Sequence, residues 1–123
     1  MQVDFYQLSR DPVERVAALL ARKVVEGGGR LLVIARDGAM RDAIAQALWQ
    51  APAPAFLANG FAGEPYAERQ PILLAAECDD GEGAANGANI VLIADGEWRD
   101  HAERFDRALL LFGQDHTQAA RDL

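Results

Sequence analysis

The chain has 123 residues, 12 Lys and Arg against 19 Asp and Glu, and a formal net charge of −7, with half of its residues hydrophobic. That length suits one domain around one core (residues 1–123), and the acidity excludes a protein whose main task is to grip a phosphate backbone. The single Cys78 closes no internal disulfide and builds no zinc site, and no apolar run approaches a bilayer span, so a soluble protein of the reducing cytoplasm is expected.

The charge is uneven: residues 1–50 carry +1 and residues 51–123 carry −8. Between 77 and 100, Glu77, Asp79, Asp80, Glu82, Asp95, Glu97 and Asp100 stand against Arg99 alone.

In chain order, Val3, Phe5 and Leu8 around Tyr6 predict a first strand. Asp11-Pro12-Val13-Glu14 has the order of an N-cap acid, a first-turn proline and a capping-box glutamate, and Val13, Val16, Ala17, Leu20 and Val24 then recur at helical spacing. Gly27-Gly28-Gly29 stops that helix. The run from Arg30 to Ala35 reads as a strand covered on both faces. Asp37 caps a second helix with Met40, Ile44, Ala47 and Leu48 inward, which turns Trp49 away from the core near the helix end.

Residues 51–71, with prolines, glycines, Phe56, Leu57 and Phe61, read as an ordered loop. Residues 72–76 and 90–93 are two further buried strands. The glycine-rich, acidic 77–89 between them lacks a helical period, so an antiparallel pair is expected. Trp98, Ala102 and Phe105 predict a short helix, Ala108 to Phe112 a fifth strand, and Asp115 to Leu123 a last helix with Arg121 off its apolar stripe. The expected class is α/β: a three-layer α/β/α arrangement with a mixed, mostly parallel sheet of about five strands.

The residue inventory is poor in catalytic chemistry. The Gly27-Gly28-Gly29 run closes a helix and precedes a strand, the reverse of a phosphate loop. The spacing of Glu77, Asp79, Asp80 and Glu82 does not match a calcium loop, and Cys78 has no base beside it in sequence. His101 and His116 lie among polar neighbours and read as surface residues. Ser9, Thr117 and Lys23 are each the only residue of their kind. No catalytic residue, metal or cofactor is therefore assigned, and a small nucleotide-binding or hydrolytic domain is the alternative reading. Trp49 and Phe56 are side chains of the kind that anchor protein interfaces, or else they cover the end of the sheet.

Phe5-Tyr6-Gln7-Leu8, Gly29-Arg30 before a strand, Ala47-Leu48-Trp49 followed by Phe56-Leu57, Gln70-Pro71-Ile72-Leu73-Leu74, the Asn86/Asn89 turn and Phe105-Asp106-Arg107 with Leu110-Leu111-Phe112 together form a familiar order. In that order the chain resembles the chi subunit of bacterial DNA polymerase III holoenzyme over essentially its whole length. The resemblance implies a noncatalytic adaptor with two partners: the acidic, phenylalanine-terminated tail of single-stranded DNA-binding protein, and the psi subunit of the clamp loader. Trp49 and Arg121 match family positions at the tail site, with Phe112 as a second wall of the pocket. Phe56, with Leu57, matches the psi contact. Ala58-Asn59 stands where the family commonly has Pro-His, Thr117 stands where a lysine occurs, and family members continue past the position of Leu123. Direct nucleic-acid binding is expected to be weak or absent.

Overall fold

The structure, a computed structural model, describes residues 2–8, 11–50, 58–62, 64–65, 67–77 and 86–113. The described elements are β1 (Gln2–Leu8), α1 (Val13–Glu26), β2 (Leu31–Ile34), α2 (Gly38–Trp49), β3 (Asn59–Phe61), β4 (Ile72–Ala75), β5 (Ile90–Ile93) and β6 (Arg107–Gly113). Turns of 3₁₀ helix at Ala67–Arg69 and Asp100–Arg104 precede β4 and β6. The strands form one sheet in the order β1-β6-β5-β2-β4-β3, and every ladder is parallel.

Alternation along the strands builds a core on each face. Leu31, Val33, Ile72, Leu74, Leu92, Leu109 and Leu111 pack under α1 and α2. Leu32, Ile34, Leu73, Val91, Ile93 and Ala108 face the other way, beneath Ala67, Ala102 and Phe105. Both cores are buried, so β2, β4 and β5 read as continuous apolar runs rather than as alternating ones. The chain steps from β1 to β2 to β3 in one direction across the sheet and then back to β4, β5 and β6. Crossovers of one hand therefore put the outbound connections, α1 and α2, on one face and the returning 3₁₀ turns on the other.

The expected α/β class is observed, with differences in detail. Residues 72–75 and 90–93 do not pair with each other, because each runs parallel to β2 on opposite sides of it. The intervening 76–89 is long enough to cross one strand, so a missing helical period was no evidence for a hairpin. The sixth strand, β3, falls within the expected loop. Asn-Gly-Phe has weak strand propensity and forms a strand only by pairing with β4. Gly60 lets the Gln70 side chain pack closely, since a Cβ would lie 3.0 Å from its Cγ and the side chain would have to shift.

The capping box before α1 is not formed. Pro12 is the extended N-cap residue with no side-chain cap, and Asp11 lies 4.0 Å from Arg15 instead. The stop after α1 is a Schellman arrangement: Gly28 sits at φ 86° and its N–H donates to Val25 O, while the Gly29 N–H donates to Val24 O. Asp37 does cap α2, accepting from the Ala39 N–H at 2.9 Å. The predicted helix from Trp98 shrinks to the 3₁₀ turn at Asp100–Arg104, with Ala102 and Phe105 buried as expected. The last helix, residues 115–123, lies outside the described residues. Among the described residues no helix is long and apolar enough to cross a membrane.

Candidate functional site

In an open α/β sheet, ligands favour the crevice beyond the carboxyl ends of strands whose connections leave toward opposite faces. Here that place lies between β2, which leads into α2, and β5, which leads into the 3₁₀ turn on the opposite face. Charged side chains of this chain fill it. Arg99, only 6 % exposed, donates to both carboxylate oxygens of Asp95, to Glu77 at 3.1 Å, and to the carbonyls of Glu97 and Ala76 at 2.7 and 3.2 Å. Glu77 also accepts from Nε of Arg36 at 2.7 Å, and Arg36 reaches on to Glu97. The Asp95 carboxylate accepts two backbone N–H groups as well, from Arg36 and Glu97.

The electrostatics follow from these contacts. Burial acts to raise the Asp95 pKa, but hydrogen bonds from Arg99 and from the two N–H groups outweigh it and hold the carboxyl below its ordinary value. Hydrogen bonding from Arg36 lowers Glu77 against a smaller opposing effect of burial, and Arg99 adds to the lowering. Burial opposes the charge on Arg99, yet pairing with Asp95 and Glu77 holds it still more firmly protonated. Three carboxylates against two guanidiniums leave a negative excess, and Asp37 already occupies the α2 N-terminus. A phosphate brought here meets carboxylates where it needs amides and cations, so the geometry does not favour the nucleotide-binding reading. No group of His, Cys, Asp and Glu among the described residues is arranged to hold a metal ion.

The residues singled out by resemblance lie elsewhere. Trp49 ends α2, which begins beyond the carboxyl end of β2 and packs on β3 and β4. It therefore lies at the amino edge of the sheet on the helical face, 56 % exposed beside buried Leu48, as its position off the apolar stripe predicts. Phe112 is half-buried near the carboxyl end of β6, on the same face as Ala108 and Leu110, opposite the helices. The two aromatics are thus on opposite faces, with β5 and β2 between β6 and the strands β4 and β3 on which α2 packs, and they do not wall one pocket. Phe56, Leu57 and Arg121 lie outside the described residues, as do Cys78 and His116, and His101 is exposed. Glu77, read as part of a solvated acidic loop, is engaged with both arginines.

The described residues thus make a parallel α/β domain whose switch point carries a cluster of ion pairs between its own side chains. The chain matches the family described as DNA polymerase III chi subunit, HolC, over residues 1–122, and it belongs to that family. It is accordingly an accessory subunit of the replicative polymerase assembly. Among curated proteins none matches the chain.

Proposed function

We propose that the chain is a noncatalytic cytoplasmic adaptor that joins the clamp-loader assembly, through psi, to the acidic C-terminal tail of single-stranded DNA-binding protein. The family match over residues 1–122 carries this reading. An acidic peptide with an aromatic end needs a guanidinium beside an apolar surface, and Arg offers carboxylates a bidentate fork. Trp49 and Arg121, the positions that the resemblance matches to the tail site, are assigned that task, without Phe112 as a shared wall, since it lies on the opposite face from Trp49. Phe56 and Leu57 are assigned to psi or an equivalent partner, as the resemblance implies. An exposed tryptophan rooted in a packed helix suits an interface anchor. Neither task requires a grip on DNA, in keeping with the net charge of −7.

Calorimetric titration of the full chain with a peptide copying the acidic tail tests the reading. Binding is expected to weaken as salt rises from low to physiological. Arg121→Ala should weaken it by about tenfold, the loss of one charge-assisted contact. Trp49→Ala should weaken peptide binding as well. An absence of peptide binding at low salt would overturn the tail-binding half of the proposal.

A further inference from the structure

The two edges of the sheet are unlike. β3, at one edge, is three residues long, whereas β1, at the other, runs for seven residues, about 23 Å, and pairs with β6 residue for residue from Gln2 to Leu8 with no bulge. Edge strands are ordinarily kept from pairing further by shortness, by Lys or Pro, by a bulge or by an exposed charge. β1 has none of these, and its one charged residue, Asp4, is paired with Arg107 of β6. The direction of its backbone groups follows from the ladder. The Gln2 N–H donates to Asp106 O, so Gln2, Asp4, Tyr6 and Leu8 turn their N–H and C=O groups to β6, while Val3, Phe5 and Gln7 turn theirs outward, where no described strand meets them. The side chains of those three lie on the face opposite the helices, since Val3 packs with the core on that side and Tyr6 and Leu8 with the core under α1 and α2. Phe5 stands in register with half-buried Leu110 and is itself 67 % exposed.

We propose that β1 is a self-association edge: two copies of the chain pair β1 to β1, antiparallel, about a two-fold axis at Phe5, and join their sheets into one. Two features select a second copy as the occupant. The outward residues are symmetric about Phe5, so Val3 of each copy faces Gln7 of the other and Phe5 faces Phe5, all as hydrogen-bonded pairs that meet every outward N–H and C=O of the edge. The two Phe5 rings then become neighbours, an aromatic cross-strand pair that covers the exposed apolar surface of both. The second feature is charge. Two chains of net charge −7 repel each other, and β1 is an edge where they can meet without opposed carboxylates: Asp4 comes opposite Tyr6 of the other copy, and Arg107 already balances it. A strip one strand wide falls short of the roughly 800 Å² per partner of a standard interface, so the dimer is weak and concentration-dependent. Because α2 packs on β3 and β4 toward the opposite edge, each copy keeps its Trp49 surface and the pair presents two of them. The inference does not depend on the adaptor reading.

Sedimentation equilibrium and amide hydrogen exchange of the full chain, from micromolar to millimolar concentration, test this. The average mass should rise toward that of two chains. The Val3, Phe5 and Gln7 amides should gain protection as concentration rises, whereas those of Asp4, Tyr6 and Leu8 are protected throughout. Salt should strengthen the dimer by screening the repulsion between two acidic chains, the reverse of its effect on the tail peptide. Phe5→Lys, an exposed change that sets two ammonium groups side by side, should weaken association by about tenfold or more while leaving the urea midpoint of the dilute chain unchanged. Gln7→Pro removes an outward N–H without touching the aromatic pair and should weaken association too. Leu19→Lys, at a 54 % exposed position on α1, should leave it unaltered. A chain that stays monomeric at millimolar concentration, association that leaves the Val3, Phe5 and Gln7 amides unprotected, or association lost as readily in Leu19→Lys as in Phe5→Lys overturns the proposal.

Discussion

Replacing Arg99 by alanine will destabilise the folded chain by about 3–5 kcal/mol, the range for removing one partner of a buried ion pair. The side chain is 6 % exposed, and its partner Asp95 is nearly as enclosed. Removing the guanidinium leaves the Asp95 carboxylate without its bidentate partner, and leaves the Glu97 and Ala76 carbonyls without their donor. A domain of ordinary stability, roughly 5–15 kcal/mol, loses a large fraction of its margin this way. Arg99→Lys will recover little, because one ammonium cannot reproduce a planar fork that reaches two carboxylates and two carbonyls. Urea unfolding should show a lower midpoint at an unchanged slope.

The same contacts set the acid response. Asp95 and Glu77 have pKa values lowered by folding, so the unfolded chain takes up their protons first. Their stabilisation is complete above the ordinary carboxyl range, about pH 4, and disappears as pH falls through the lowered folded values. In Arg99→Ala the part of the lowering at Asp95 that Arg99 supplies is gone, and only the two backbone N–H groups still oppose the effect of burial. The stability gap between wild type and variant should therefore be widest near neutrality and shrink below about pH 4. Urea midpoints measured from pH 7 to pH 3 check this, and a gap constant over that interval would refute it.

Why this arrangement escapes a reading of the sequence is a matter of distance along the chain. Arg99 looks like one cation among seven acids, and no local spacing signals that the ends of β2, β4 and β5 converge on it. Signals that act within one helical turn were legible: the Asp37 cap, the Gly27-Gly28-Gly29 stop, and the outward rotation of Trp49. The apolar runs that became β2, β4 and β5 were legible too, because burial on both faces leaves no polar residue in them. Strand order was not, since such runs say that both faces are covered and nothing about neighbours. The same gap affected the candidate site. Trp49 and Phe112 share an aromatic character that suggested one pocket, whereas strand order and the alternation along β6 put them on opposite faces.

Asn86→Ala should cost about 2–3 kcal/mol, since it deletes one buried amide that serves several backbone groups. Asn86 is 2 % exposed. Its Nδ2 donates to Gln70 O at 2.9 Å and to Leu31 O at 3.3 Å, and its Oδ1 accepts from the Ala88 N–H at 3.2 Å. Those contacts tie the approach to β5 to the start of β2 and to the residue before Pro71 at the entry of β4. The side chain thus helps pin β2 and β4, which are neighbours in the sheet. Its own carbonyl accepts from Arg30 at 2.9 Å, and that backbone contact survives the substitution. The loss should accordingly fall on the amide-bonded groups rather than on the whole turn. Asn86→Asp separates hydrogen bonding from size: the carboxylate still accepts from Ala88 but faces the Leu31 and Gln70 carbonyls with no donor, so it should be at least as damaging as alanine at neutral pH. Hydrogen exchange should show the amides of β2 and β4 losing protection together in both variants, with β1, at the far edge, affected only through global unfolding. Were Asn86→Asp to match wild type at neutral pH, the amide donor would not be what holds these strands together.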